Sequence, residues 1–554
     1  HFGTNWEKRQ GWTAHTRLSV LLSSLAAWNG MVDLFLLIFV IVIVAVAIGV
    51  NLRVLLYFQQ EDNSKFASSI VCKTIIVISL TLAWFIILLL PIDVRNSRPV
   101  QGVIDMQAMW MGTFITLAVF LVVVVPGAMF WHEIEDDPDV KKKKGYVVCR
   151  LLVTIFFAGC AVAISYAFLA EAAIPVTEYT CENWQSADVR DNAALLGRVA
   201  CADGRKSHVS VKVGFRIYLI AVLCFVGWFL LVMFGGIGLS AVPLDAILEF
   251  KDRPRAISEK DYQKRRKVLG SAAQALLQRS EELQSLDAEL SSQKGWRARR
   301  KQRSLRALYN RFKCGVNLLE DEHGKLKVSK FERGENLVIA TAKLVVGIVS
   351  AILSLTWILH IVLVVLVPQF HPNFSANMLD AIFMATENSG AYPLGVALFS
   401  VYTLYLLLCV VKGCLKFGLR IFFLLSLHPM RHKATPLNSI LFNVELLLIS
   451  SAAVVQFSQT AFANYARLTD ADVIFAAQIK HLAFYSWFFE HSIFVWALLI
   501  WFLLTFIFLI VRPREGGKAF RLNTSIEKEL AEILGPTKIG KPADSTTPQP
   551  ESLA

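Results

Sequence analysis

Charged residues are scarce in this chain. Asp, Glu, Lys and Arg make up 18% of its 554 residues, where an average soluble protein carries about 25%. A string of soluble domains is thereby excluded, although the length alone would suit about three or four of them. Complete catalytic motifs are missing as well. Gly535-Pro536-Thr537-Lys538-Ile539-Gly540-Lys541 imitates a phosphate loop, but Pro542 stands where Ser or Thr is needed and no strand precedes it. Gly238-Leu239-Ser240-Ala241-Val242 lacks the second glycine of a nucleophile elbow. His132-Glu133 is followed by Asp136 where a zinc protease needs His. The acidic run from Glu133 to Asp139 adjoins four lysines at 141–144 and reads as solvated ion pairs. The chain is therefore read as a non-enzyme, with no catalytic residue, metal site or cofactor.

What the sequence has is long apolar runs. A membrane-crossing helix needs about 20 apolar residues at a rise of about 1.5 Å each. Nine stretches qualify: 34–50, 71–90, 110–130, 151–173, 217–239, 344–367, 393–411, 440–455 and 484–511. The fold class is all-α: a polytopic membrane protein of nine spans with a cytoplasmic coiled-coil hairpin. Lys and Arg concentrate on alternate loops, at 141–150, 412–433 and 512–521, and the 368–392 loop has none. Such clusters mark the cytoplasmic side, so the N-terminus is expected outside and the C-terminus inside. The organisation is then an exterior segment at 1–30, spans one to five over 31–240 with an exterior loop at 174–212, a basic insertion at 241–336, spans six to nine over 337–511, and a cytoplasmic tail at 512–554. A multi-pass integral membrane protein is expected. The start at His1 reads as removal of a secretory signal or transit segment, or as a fragment.

Two features accord with this topology. The sequon Asn373-Phe374-Ser375 falls in an exterior loop. Cys181 and Cys201 share another, where a disulfide would close about twenty residues and contribute roughly 3 kcal/mol; two free thiols are the alternative.

The insertion holds most of the chain's positive excess, 22 Lys or Arg against 14 Asp or Glu. Ser258-Glu259-Lys260-Asp261 reads as a capping box. Tyr262, Leu269, Leu276, Leu283 and Leu290 recur every seven residues, with Ala272 and Leu286 at the other seam position and Arg265 and Arg279 interrupting it. A turn at 291–295 leads to a second helix bearing Leu305, Leu308, Phe312, Val316 and Leu319, which suits an antiparallel coiled-coil hairpin. Arg297, Arg299, Arg300, Lys301 and Arg303 gather near its tip. Their expected partners are anionic membrane lipids or an acidic protein, and a plain solvated face is the alternative. Nucleic acid is excluded for want of interleaved aromatics. In the tail, 526–534 reads as a short helix.

Ionisable residues inside spans are the default functional candidates of a membrane protein. Glu445 with Asn443 in the eighth span, Glu490 and His491 in the ninth, and His360 in the sixth qualify. A proton- or cation-coupled carrier needs them to converge on one cavity, while the alternative is hydrogen bonding between helices.

Several motifs resemble the limb-region-1-like membrane protein family across nearly all of residues 31–511. Leu89-Leu90-Pro91-Ile92-Asp93 closes the second span as that family's leucine-proline-aspartate motif does. Pro126, before an aromatic pair and an acidic run, matches the end of its third span. Gly238-Leu239-Ser240-Ala241-Val242-Pro243-Leu244 matches the signature that leads into its insertion. Tyr392-Pro393-Leu394 is similar too, although Gly395 replaces an acidic residue that often follows. The resemblance implies nine spans, structural roles for these motif residues, and a receptor, escort or trafficking partner working through other proteins, in lysosomal cobalamin export or ligand endocytosis; a lysosomal or plasma membrane is the favoured location and another organelle membrane the alternative. A direct carrier and an accessory subunit of a larger membrane complex are the competing expectations.

Overall fold

The computed structural model describes residues 38, 40–60, 67–97, 104–135, 143–178, 205–251, 253–291, 296–331, 336–371, 377–389, 392–416, 420–421, 425–426, 430, 433 and 435–511. Asn373, Cys181, Cys201 and the 526–534 segment lie outside them. So do the side chains of Pro393, Leu290, Arg297, Arg299, Arg300, Lys301 and Arg303, although helical backbone covers those positions.

Among the described residues nine helices are long and apolar enough to cross a membrane: Val40–Phe58, Ser69–Asn96, Met106–Ile134, Lys143–Leu169, Phe215–Lys251, Leu337–Phe370, Leu394–Lys416, Leu437–Ala461 and Ile493–Val511. They are called spans one to nine here. The all-α polytopic class is thus established. Several boundaries differ from the sequence reading; the fifth span, for instance, runs on to Lys251, and three differences change the connections. The fourth span stops at Leu169, because Glu171–Glu178 (β1) pairs antiparallel with Arg205–Lys212 (β2). The 368–392 connection carries a helix, Met378–Asn388. The ninth span begins only at Ile493, so Glu490 and His491 lie outside it: Glu490 ends a separate short helix, Tyr485–Glu490, and His491 and Ser492 form the break.

The chain divides into two compact units. In the first, the eighth span is central, with 78% of its apolar stretch buried against 6% in the fourth. Small residues explain this placement. Ser450, Ser451, Ala452 and Ala453 are all buried, and a Cβ on Gly227 of the fifth span would come within 2.5 Å of Ile449 O. Spans five and seven approach backbone to backbone at two places: a Cβ on Gly238 would meet Cys409 O at 1.7 Å, and one on Gly413 would meet Phe234 O at 1.9 Å. Such contact is what holds helices together where lipid removes the hydrophobic drive between them.

Prolines inside spans coincide with local rearrangements. Wide helical turns at Phe120–Val124 and Val362–Leu366 precede Pro126 and Pro368, where a proline ring would crowd the carbonyl four residues back. Pro243 has no N–H for the Leu239 carbonyl, and Ser354 Oγ donates to that oxygen at 2.8 Å from the sixth span.

The second unit contains two long helices, α1 (Glu259–Ser291) and α2 (Trp296–Phe331). Ser258 Oγ accepts from Asp261 N–H at 3.3 Å and so caps α1. The pair runs antiparallel: Tyr262 packs edge-on against Phe331, Lys330 pairs with Glu259, and Ala272 and Leu276 meet Phe312, Val316 and Leu319. That pairing, with the hydrogen bond from Gln263, holds the Glu259 carboxyl below its usual range. Arg265 is half-buried on the seam, and burial lowers its pKa against the opposing pull of Asp261 and Glu322. Leu286, assigned to the seam by its spacing, is exposed instead.

Replacing Gly238 by Ala is expected to cost about 3 kcal/mol or more, because overpacking here displaces a backbone and not a flexible side chain. Gly159→Ala, where a Cβ meets nothing within 4 Å, is the control that should leave the melting temperature of the detergent-solubilised protein unchanged or raised.

Candidate functional site

The motif residue Asp93 is 1% exposed at the end of the second span. Its Oδ2 accepts Trp110 Nε1–H from the third span at 2.8 Å and the Ala471 N–H at 2.7 Å, and its Oδ1 accepts the Asp470 N–H at 3.3 Å. Residues 470 and 471 open the helical turns that lead into Asp472–Ile479. Thr469 caps the same turns by accepting the Asp472 N–H at 3.0 Å, while Asp472 accepts Leu468 N–H at 3.4 Å and the Gln459 amide at 2.8 Å. The first N–H groups of a helix have no internal partner and carry partial positive charge, so one carboxylate joins the second span, the third span and the 462–492 connection. The connection between the eighth and ninth spans is itself packed, with Tyr465, Phe475, Ile479 and Leu482 all buried. Left-handed backbone at Leu468, Phe484 and Ser492 turns the chain within it.

Two further buried carboxyls lie on the helix Met378–Asn388, seven residues apart and hence on one face. Glu387 accepts the Tyr465 hydroxyl, and a Cβ on Gly395 would crowd Glu387 Cγ at 2.6 Å, which accounts for glycine at that position. Asp380 is fully buried. Asn464 and the Tyr465 N–H face it, but neither meets the geometry of a full hydrogen bond, and both carboxyl oxygens stay without one. Burial pushes the Asp380 carboxyl up to about 6, against the opposing pull of Asn464 and Tyr465.

The residues proposed as an intramembrane polar site are not brought together. His360 is buried, stacks on Phe462 and hydrogen-bonds Ala461 O at 2.9 Å. Glu445 lies sixteen residues before Ala461 on the same helix, about 24 Å away at the helical rise. Asn443 Oδ1 is 4.0 Å from Cys414 Sγ. Glu490 is half-exposed beside His481, at 3.7 Å, and His491 hydrogen-bonds Trp487 O at 2.9 Å. Burial, aided by Lys480, lowers the His481 pKa against the pull of Glu490.

The signature residues hold spans together. Gly238 touches the seventh span, the Leu239 carbonyl is held by the sixth, and Ser240 Oγ donates to Phe502 O of the ninth at 3.1 Å. Pro243 is buried and Leu244 is half-buried one helical residue on. Asp245, which the motif reading passed over, accepts Lys416 Nζ at 2.7 Å and Lys412 Nζ at 3.1 Å. Its acidic type immediately after the signature, with two lysines four apart on another span, was the available signal. Among the described residues no three His, Cys, Asp or Glu side chains gather as a metal would require.

The family profile of the LMBR1-like membrane protein matches residues 31–314 and 320–511. A LIMR family protein of Dictyostelium discoideum is 31% identical over 527 residues, covering 89% of this chain and all of the relative. One from Arabidopsis thaliana is 28% identical over 476 residues, covering 82% of this chain and 92% of the relative. One from Oryza sativa subsp. japonica is 28% identical over 506 residues, covering 86% and 96%. No solved structure matches.

Two outcomes test this geometry. Asp93→Ala leaves an indole N–H and two helix-end N–H groups without an acceptor and is expected to cost about 2–5 kcal/mol, read as a lower melting temperature. For Asp380 the native carboxyl holds its proton more tightly than the unfolded one. Its contribution to stability is therefore complete below the ordinary value of 3.8 and is lost as pH rises through about 6. Asp380→Asn should accordingly be more stable than wild type at pH 7.5, by up to about 3 kcal/mol, with the advantage shrinking as pH falls below 6. An advantage that did not vary with pH would exclude this origin.

Proposed function

The chain belongs to the LMBR1-like membrane protein family, and on that premise we propose that it is a non-enzymatic receptor or escort protein that works by binding protein partners. What supports this reading is how the buried polar groups are used. Asp93, His360, Ser240, Ser354 and Asp245 each join elements of the bundle, which is the economy of a scaffold whose shape is its product. The finer form follows the resemblance to the family: support of cobalamin export at a lysosomal membrane or of ligand endocytosis at the plasma membrane. In that form Asn373 carries a glycan and Cys181 bonds to Cys201 on the exterior side, and the cluster at 297–303 contacts anionic lipid or an acidic partner on the other.

Affinity capture of the full chain in mild detergent is expected to recover a stable protein partner, with lower yield after removal of residues 258–320. Recovery of no partner from any source membrane would refute the proposal.

One observation favours a second reading, a direct carrier. Glu445 lies within the eighth span and makes no hydrogen bond or ion pair among the described residues, and an ionisable group so placed is a functional candidate. In that reading, vesicles reconstituted with the protein move a cation or small solute, and Glu445→Gln abolishes the movement while leaving the melting temperature within about 1 °C.

A further inference from the structure

The α1–α2 hairpin has an unfilled groove of about 470 Å³, lined by Arg266, Leu269, Gly270 and Ala273 from α1 and by Leu319, Glu320, His323 and Gly324 from α2. Two glycines open it. Gly270 and Gly324 lie in helix interiors, where glycine costs about 1 kcal/mol relative to alanine, and a Cβ at either would meet nothing within 4 Å. Neither glycine is therefore required by packing within the hairpin. The apolar strip continues along α1 to Leu277, which is 65% exposed and lies on the face of Arg266, Gly270 and Ala273 by its i, i+4, i+7, i+11 spacing. The charged groups lining the groove are Arg266 and Glu320, and the spacing places Lys313 and Lys327 on the helical row of Glu320 and Gly324, beyond the groove's two ends on α2.

We propose that this groove is occupied by residues 526–534 of the same chain, docked as an amphipathic helix. Three observations select this occupant. First, the pattern fits: Ile526, Leu530, Ile533 and Leu534 fall at i, i+4, i+7 and i+8, Thr524 and Glu527 have the spacing of a capping box, and Gly535-Pro536 supplies a stop. An anchor set of this kind is what a helix lays into an apolar groove. Second, the charges are complementary. Glu527, Glu529 and Glu532 outnumber Lys528 on the segment, and on the groove's faces Arg266 with Lys313 and Lys327 on the same helical rows outnumber Glu320. Third, topology and reach allow it. The hairpin follows the fifth span and the tail follows the ninth, so an even number of crossings separates them and both emerge on one side of the membrane. The ninth span also leaves beside the fifth, where Ser240 contacts Phe502 and Thr505. Residues 512–525 extend to about 45 Å, whereas Gly270 lies only about 17 Å along α1 from Glu259.

The test uses the full chain in lipid nanodiscs with a photo-crosslinking amino acid at Ala273. Irradiation and mass spectrometry are expected to recover a crosslink to the peptide containing residues 526–534. The yield should fall severalfold with Leu530→Asp/Ile533→Asp, fall likewise with Arg266→Glu, and recover when Arg266→Glu is combined with Glu529→Lys/Glu532→Lys. Mixing isotopically light and heavy copies separates contact within one chain from contact between chains. Crosslinks to lipid alone, to the hairpin of a second copy, or to the tail of a second copy would each overturn the proposal, as would a tail crosslink indifferent to Leu530→Asp/Ile533→Asp. A parallel measurement needs no crosslink: maleimide labelling of Ala273→Cys should accelerate severalfold when residues 526–534 are deleted, and an unchanged rate counts against occupation.

Discussion

Among the described glycines, those with least room for a side chain lie where the backbones of the fifth and seventh spans meet, and much of the bundle's polar chemistry depends on that approach. With Gly238 against Cys409 and Gly413 against Phe234, the two helices come near enough for Asp245 to receive both Lys412 and Lys416. Tyr405 of the seventh span lies 2.6 Å from Ser354 Oγ and donates to Ser350 O at 2.8 Å. Ser354 in turn serves the carbonyl that Pro243 leaves without its helical donor. A polar group in hydrocarbon has no water to fall back on, so each such partnership needs its neighbour in place. The glycines come first in that order of dependence.

At the other end of the bundle a similar logic runs through carboxylates. Asp93 ties two spans to the 462–492 connection, and Glu387 reaches Tyr465 in the same connection. Tyr465 packs among Phe383 and Phe399, so aromatic burial and hydrogen bonding hold the same residues. A folded cap results from a stretch that has the length and polarity of a loop.

Nine spans were legible in the sequence because twenty apolar residues in a row have few other uses. Their ends were less so: the 484–511 run is apolar throughout, and nothing in its composition announces the break at Ser492, a left-handed serine. The capping box at Ser258 and the buried positions Leu269, Leu276 and Leu283 were readable from spacing. Leu286 was misassigned because the heptad pattern is interrupted by Arg279, which pairs instead with Glu282. Motif residues could be recognised, but their work could not, since Gly238, Leu239 and Ser240 act on partners from three other spans far away in the chain. The separation of Glu445 from His360 likewise depends on which helix end each one meets.

The fourth span stands apart from this economy. Its 27-residue helix, Lys143–Leu169, is about 40 Å long where the hydrocarbon layer is about 30 Å thick. Its polar fastenings lie near its ends: Arg150 pairs with Glu133 and stacks over Phe130 and Tyr146, and the Tyr166 hydroxyl donates to Val213 O at 3.3 Å. Only 6% of its apolar stretch is buried among the described residues, and a helix longer than the hydrocarbon layer is accommodated by tilting. The strand β1 begins two residues after the helix ends, so a single residue, Ala170, separates the least buried helix of the bundle from the two-stranded ribbon.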